Sequence, residues 1–62
     1  MELSVVIPVR NRPDAVALAV RAAWASLRRA ELDDTQAEVV VVDNASIDHT
    51  PRAAAEAGAR VV

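Results

Sequence analysis

Three short apolar runs punctuate the chain: Leu3 to Val9, Glu38 to Val42, and a last run that opens at Ala59 and reaches Arg60-Val61-Val62. The first two are continuous rather than alternating, the pattern of strands buried on both faces because helices cover the sheet on either side. Between them apolar residues recur at spacings of three and four, at Val16, Val20, Ala23, Trp24 and Leu27. That stripe predicts a helix from about Pro13 to about Arg29, with its apolar side on the sheet and Trp24 in the core. Pro13 suits the first helical turn, and Asp14 places a carboxylate at the positive end of the helix dipole. Pro8 is expected to end the first strand's ladder.

Ala30 to Ala37, with Asp33-Asp34-Thr35-Gln36, forms a polar connection to the second strand. After that strand, Asp48 or Thr50 can cap a second helix that has Pro51 at its first position and runs to Ala57. Gly58 stands where a helix commonly ends in a left-handed residue. The order strand, helix, strand, helix, strand predicts an α/β fold with right-handed crossovers between parallel strands. No internal repeat beyond this doubled unit occurs, and Ala53-Ala54-Ala55 is ordinary helix former rather than a linker.

Length then limits the picture. A chain of 62 residues has room for one small domain and buries only about 60% of the surface its unfolded form exposes. The core is built mostly from alanine and valine around a single aromatic residue. The third run stops without turn or cap, so the chain is expected to be the incomplete N-terminal part of one larger domain, 1–62, cut in its third strand. Weak folding or self-association through unpaired strand edges is the corresponding expectation.

A net charge of −2 and a pI near 5.1 supply no basic field for nucleic acid. Without cysteine there is no disulfide framework, thiolate metal site or cysteine nucleophile. The residues Met1 to Ser4 carry no positive charge, and the following apolar run is too short for a signal core or a membrane span. A cytoplasmic protein is expected, with the cytoplasmic face of the membrane as the second location.

The polar residues delivered at the two strand ends carry the candidate chemistry, because open α/β sheets bind ligands at the carboxyl ends of their strands. With Gly58 the sole glycine, neither GxGxxG nor GxxxxGK[ST] is present, so a nucleotide here would be read by side chains and individual backbone groups. Asp43 can accept from base N–H or ribose hydroxyl groups, and Asn44 offers both donor and acceptor, with Ser46 beside them. The same residues also form caps and turns without any ligand. Asn11 either ties its own loop or faces a ligand. Arg10 and Arg12 either offer paired donors to a diphosphate or are solvated surface residues. His49 reads as a solvated turn residue, Asp48 as a cap, and Asp33-Asp34 as a solvated loop rather than a metal site.

Taken together, the turn Pro8-Val9-Arg10-Asn11-Arg12-Pro13 and the segment Asp43-Asn44-Ala45-Ser46-Ile47-Asp48-His49-Thr50 resemble the N-terminus of the family 2 glycosyltransferases. The resemblance covers essentially the whole chain. It implies the parallel βαβαβ start of a GT-A, Rossmann-like nucleotide-sugar-binding domain. It further implies an inverting, hexosyltransferase-type parent that takes a UDP-, GDP- or dTDP-sugar donor and a glycan, lipid or small-molecule acceptor. The nucleotide-binding residues it implies are Pro8, Val9, Arg10, Asn11, Asp43, Asn44 and Ser46. Three positions depart from the family pattern: Arg10 replaces a frequent aromatic residue, Ile47 a frequent Thr and His49 a frequent Gly, and the base is left open.

The family's Asp-x-Asp motif for Mn²⁺ or Mg²⁺ and its catalytic base come later in such chains. No catalytic residue and no metal ligand is therefore expected in this fragment, which alone should be inactive. Two competing readings are a receiver-like signalling module, from the acidic end of Val39-Val40-Val41-Val42-Asp43, and an inactive truncated fragment.

Overall fold

The computed structural model describes residues 2–44 and 46–62; Met1, and Ala45 with its place in the second strand-end motif, lie outside the described residues. Five elements follow in order: β1 (Leu3–Val9), α1 (Pro13–Arg29), β2 (Ala37–Asp43), α2 (Thr50–Glu56) and β3 (Arg60–Val61). The three strands are parallel and ordered β1-β2-β3, with Val5 opposite Val39, Ile7 opposite Val41, Val9 opposite Asp43, and Val41 opposite Val61. This is a Rossmann-like βαβαβ arrangement, as the order of apolar runs and helical stripe predicts.

The first helix keeps its predicted bounds, while β2 extends one residue beyond the valine-rich run at each end. Ala37 joins because it is buried against the helices, and Asp43 joins because it pairs with Val9 and donates its amide to Val62 O at 3.0 Å. Pro8 does not end the ladder: it sits inside β1, opposite Val42. β1 is an edge strand, and an edge tolerates a residue without an N–H when that position faces away from the partner.

The expectation that both sheet faces are covered is corrected. Strand order β1-β2-β3 steps in one direction, and two right-handed crossovers in the same direction place both helices on one face. The core is accordingly one-sided: Val16, Val20 and Leu27 of α1 and Ala54 of α2 close on Ala37, Val39 and Val41. Each fully buried valine there contributes about 1.5–2 kcal/mol. On the other face Val6 is 59% and Val42 39% exposed. That face also carries a polar corner, where Ser4 Oγ donates to Glu38 Oε2 at 2.8 Å and Arg60 Nε to Glu38 Oε1 at 3.2 Å. The Ser4 hydroxyl first, then the Arg60 guanidinium, hold the Glu38 carboxyl below its usual range.

Trp24, expected in the core, is half-buried at its margin. Its Nε1 donates to Gly58 O at 3.0 Å, tying α1 to the end of α2. Gly58 adopts φ +107, and a Cβ at that position would stand 3.2 Å from Trp24 Nε1. Both facts require glycine at this helix end. Among the described residues no helix is long and apolar enough to cross a membrane.

Candidate functional site

The register that sets Val9 beside Asp43 also sets side by side the two loops that leave those strands. The ladder continues one step past the strands, since Asn44 N donates to Val9 O at 2.8 Å. From there the loops are joined by side chains. Asn11 N donates to Ser46 Oγ at 2.8 Å, and Ile47 N donates to Asn11 Oδ1 at 2.9 Å. Asn11 has φ 50, the left-handed region that asparagine tolerates better than most residues. Arg12 Nη1 reaches back to Asn11 O at 3.2 Å.

All the predicted site residues therefore lie at one end of the sheet, but they are not equally free. Asn11 and Ser46 hold one loop to the other. Asn44 and Arg10 are exposed, Asn44 with its backbone fixed and its side chain at the surface. Pro8 and Val9 form the strand end beneath them. Asp43 differs from its neighbours: Oδ2 accepts from Ser46 N at 3.3 Å, whereas Oδ1 is shielded from solvent and has no hydrogen-bond partner among the described residues. Such an unpaired buried acceptor costs about 1–3 kcal/mol, so its presence at a strand end calls for a donor from elsewhere.

Asp48 is not the cap expected of it: the N-cap of α2 is His49, without a side-chain cap bond, and Asp48, one residue earlier, accepts at Oδ1 from both the amide and the hydroxyl of Thr50. The hydroxyl first, and then the amide, hold the Asp48 carboxyl below its ordinary range. Thr50, fully buried, is thereby satisfied. His49 is exposed at the start of α2 and makes no side-chain cap. No group of three or more His, Cys, Asp or Glu side chains suited to a metal ion occurs among the described residues.

Asp33 and Asp34 stand at the opposite end of the sheet. Asp33 closes its own turn there, with Thr35 N and Oγ1 donating to Oδ1 at 2.9 and 2.6 Å. A cavity of about 480 Å³ opens at that end, lined in part by Trp24, Arg28, Leu32 and Gly58. None of the predicted site residues lines it. The strand-end rim is the better candidate on chemical grounds, because a shielded side-chain oxygen without a partner among the described residues lies there, at Asp43. Sequence reasoning did not find the Trp24–Gly58 contact or the Ser4–Glu38–Arg60 corner; each joins residues distant in the chain, and a register is needed to see it.

The profile of the family described as glycosyl transferase family 2 matches residues 4–62, and the chain belongs to that family. Neither the curated proteins nor the solved structures provide a match. Membership leaves no ground for the receiver-like reading.

Proposed function

We propose that this family 2 chain is the donor-nucleotide part of an inverting, hexosyltransferase-type enzyme, the N-terminal part of its GT-A domain. The observation that carries the proposal is the shielded Oδ1 of Asp43, without a partner among the described residues, at the carboxyl end of the central strand. The 3.3 Å bond that holds the other oxygen is at the long end for N–H···O. Asp43 is itself partly exposed, so its carboxylate can accept from an N–H of the nucleoside. Asn44, exposed next to it, supplies a second polar contact. Pro8 and Val9 form the floor, and Arg10 stands at the rim, where a guanidinium suits phosphate oxygens.

In the transfer itself, an acceptor hydroxyl oxygen would form a bond to the anomeric carbon from the side opposite the diphosphate. The carbon–oxygen bond to the diphosphate would break, its electron pair leaving with the nucleoside diphosphate, and the hydroxyl proton would pass to a base. The part of this segment is to bind and orient the donor; no residue in it is assigned as that base. A divalent Mn²⁺ or Mg²⁺ would neutralise charge on the leaving diphosphate. The described residues form no ligand set for such an ion, and no step is assigned to it.

Titration calorimetry with UDP, GDP and dTDP tests the proposal. At least one should bind, and the double variant Asp43→Ala, Asn44→Ala should weaken it about 100-fold or more, on the scale of two lost polar contacts. Equal affinity in the variant would refute the assignment.

A further inference from the structure

We propose that Asn11 is the positioning residue of the donor site, a latch that locks the two strand-end loops into one rim, and that Asn11 and Ser46 serve this latch rather than the ligand. The proposal rests on the donor-nucleotide reading above, but its geometry stands apart from it. Asn11 makes two cross-loop hydrogen bonds that run in opposite directions. Its amide donates to Ser46 Oγ, and its Oδ1 accepts from Ile47 N, at 2.8 and 2.9 Å. These contacts land on Ser46 and Ile47, just after Asp43 and Asn44, while Ser46 N returns to Asp43 Oδ2. The chain of contacts therefore runs from Asn11 through Ser46 to the carboxylate of Asp43, whose other oxygen has no partner among the described residues.

The backbone supports the same role. With φ 50 at Asn11, the peptide is turned so that the amide and the side-chain oxygen both face the second loop. Most residues meet a steric cost in this region, which asparagine and glycine largely avoid. A residue chosen only to touch a ligand would not need this conformation. Both loops lack the glycine-rich cradle that fixes phosphate-binding backbone in other α/β proteins. The latch supplies the corresponding rigidity through side chains, and preorganisation of this kind raises affinity by removing the ordering cost of binding.

Three substitutions separate a latch from a ligand contact. Asn11→Gly keeps the left-handed backbone and removes the Ile47 acceptor; Asn11→Asp keeps an acceptor oxygen and removes the amide donor; Ser46→Ala removes the acceptor for the Asn11 amide. Hydrogen exchange of the Ile47 amide, measured without nucleotide, should speed up about tenfold in Asn11→Gly and return to the wild-type rate in Asn11→Asp. Affinity for whichever of UDP, GDP and dTDP binds the wild type should fall about tenfold in Asn11→Gly and in Ser46→Ala. It should be restored in Asn11→Asp, and the Asn11→Gly, Ser46→Ala double variant should lose little more than either single one, as expected for two parts of one device.

Loss of affinity in Asn11→Asp as large as in Asn11→Gly, or additive losses in the double variant, would overturn the proposal in favour of direct ligand contacts. Should no nucleotide bind the wild type, the donor reading fails, and the exchange measurement still decides the latch: an unchanged Ile47 amide in Asn11→Gly would sink it.

Discussion

At the amino-terminal end of the sheet, Asp33 accepts the amide and hydroxyl of Thr35 on one oxygen and leaves the rest of its side chain to water. At the carboxyl end, Asp43 receives one long contact on Oδ2, and its Oδ1 is shielded from water and has no donor among the described residues. The residue type is the same and both are turn formers by composition. Burial separates them. An exposed aspartate that closes its own turn has nothing left to explain, whereas a shielded oxygen without a donor is an unmet need. The neighbouring contacts repeat the contrast: the Trp24–Gly58 clasp at one end joins helix to helix end, while the Asn11 latch at the other joins loop to loop.

The sharpest way to break this comparison is to remove each aspartate. Asp43→Ala should lower nucleotide affinity about 10- to 100-fold, the range of a hydrogen bond to a charged group. It should leave thermal stability unchanged or raised, since a shielded unpaired oxygen is lost with it. Asp33→Ala should do the reverse, lowering the melting temperature slightly without touching affinity. Calorimetry and thermal melts on both variants check this directly, and equal effects on affinity would erase the distinction between the two ends.

Gly58→Val should destabilise by about 1–3 kcal/mol, through a side chain at positive φ facing Trp24. Trp24→Phe, which deletes the indole donor to Gly58 O, should cost about 1 kcal/mol. Denaturant melts measure both, and in the folded population neither should change nucleotide affinity. The smallest effect is acid dependence. Asp33 and Asp48 have carboxyls lowered by their threonine partners, so each contributes stability that is present above the ordinary carboxylate range and is lost as pH falls below about 4. Thr50→Val should flatten the Asp48 part of that acid limb in a pH series of melts.

Most of the fold was legible in the pattern of apolar residues. Apolar runs locate the strands and the Val16–Leu27 stripe locates α1; proline marks the start of both helices, while glycine marks the end of α2 alone, α1 being followed by Glu31 at φ 60. Burial of β1 was not legible, because a continuous apolar run looks the same whether one face or two are covered. What decides is that both crossovers step the same way, and that depends on strand order, not on composition. At the site, Asp43, Asn44, Asn11 and Ser46 were recognisable as polar residues at strand ends. Their division of labour was not. Asn11 and Ser46 meet across 35 positions of sequence only because Val9 lies opposite Asp43, and no local spacing encodes that register.

The most direct test of the account is to map amide chemical-shift changes across the protein while UDP, GDP and dTDP are titrated in turn. The account predicts that one of them perturbs Val9 to Arg12 and Asp43 to Ile47 and leaves Trp24, Asp33 and Gly58 unmoved. Perturbation concentrated at the Trp24 end, or absent with all three nucleotides, would contradict it.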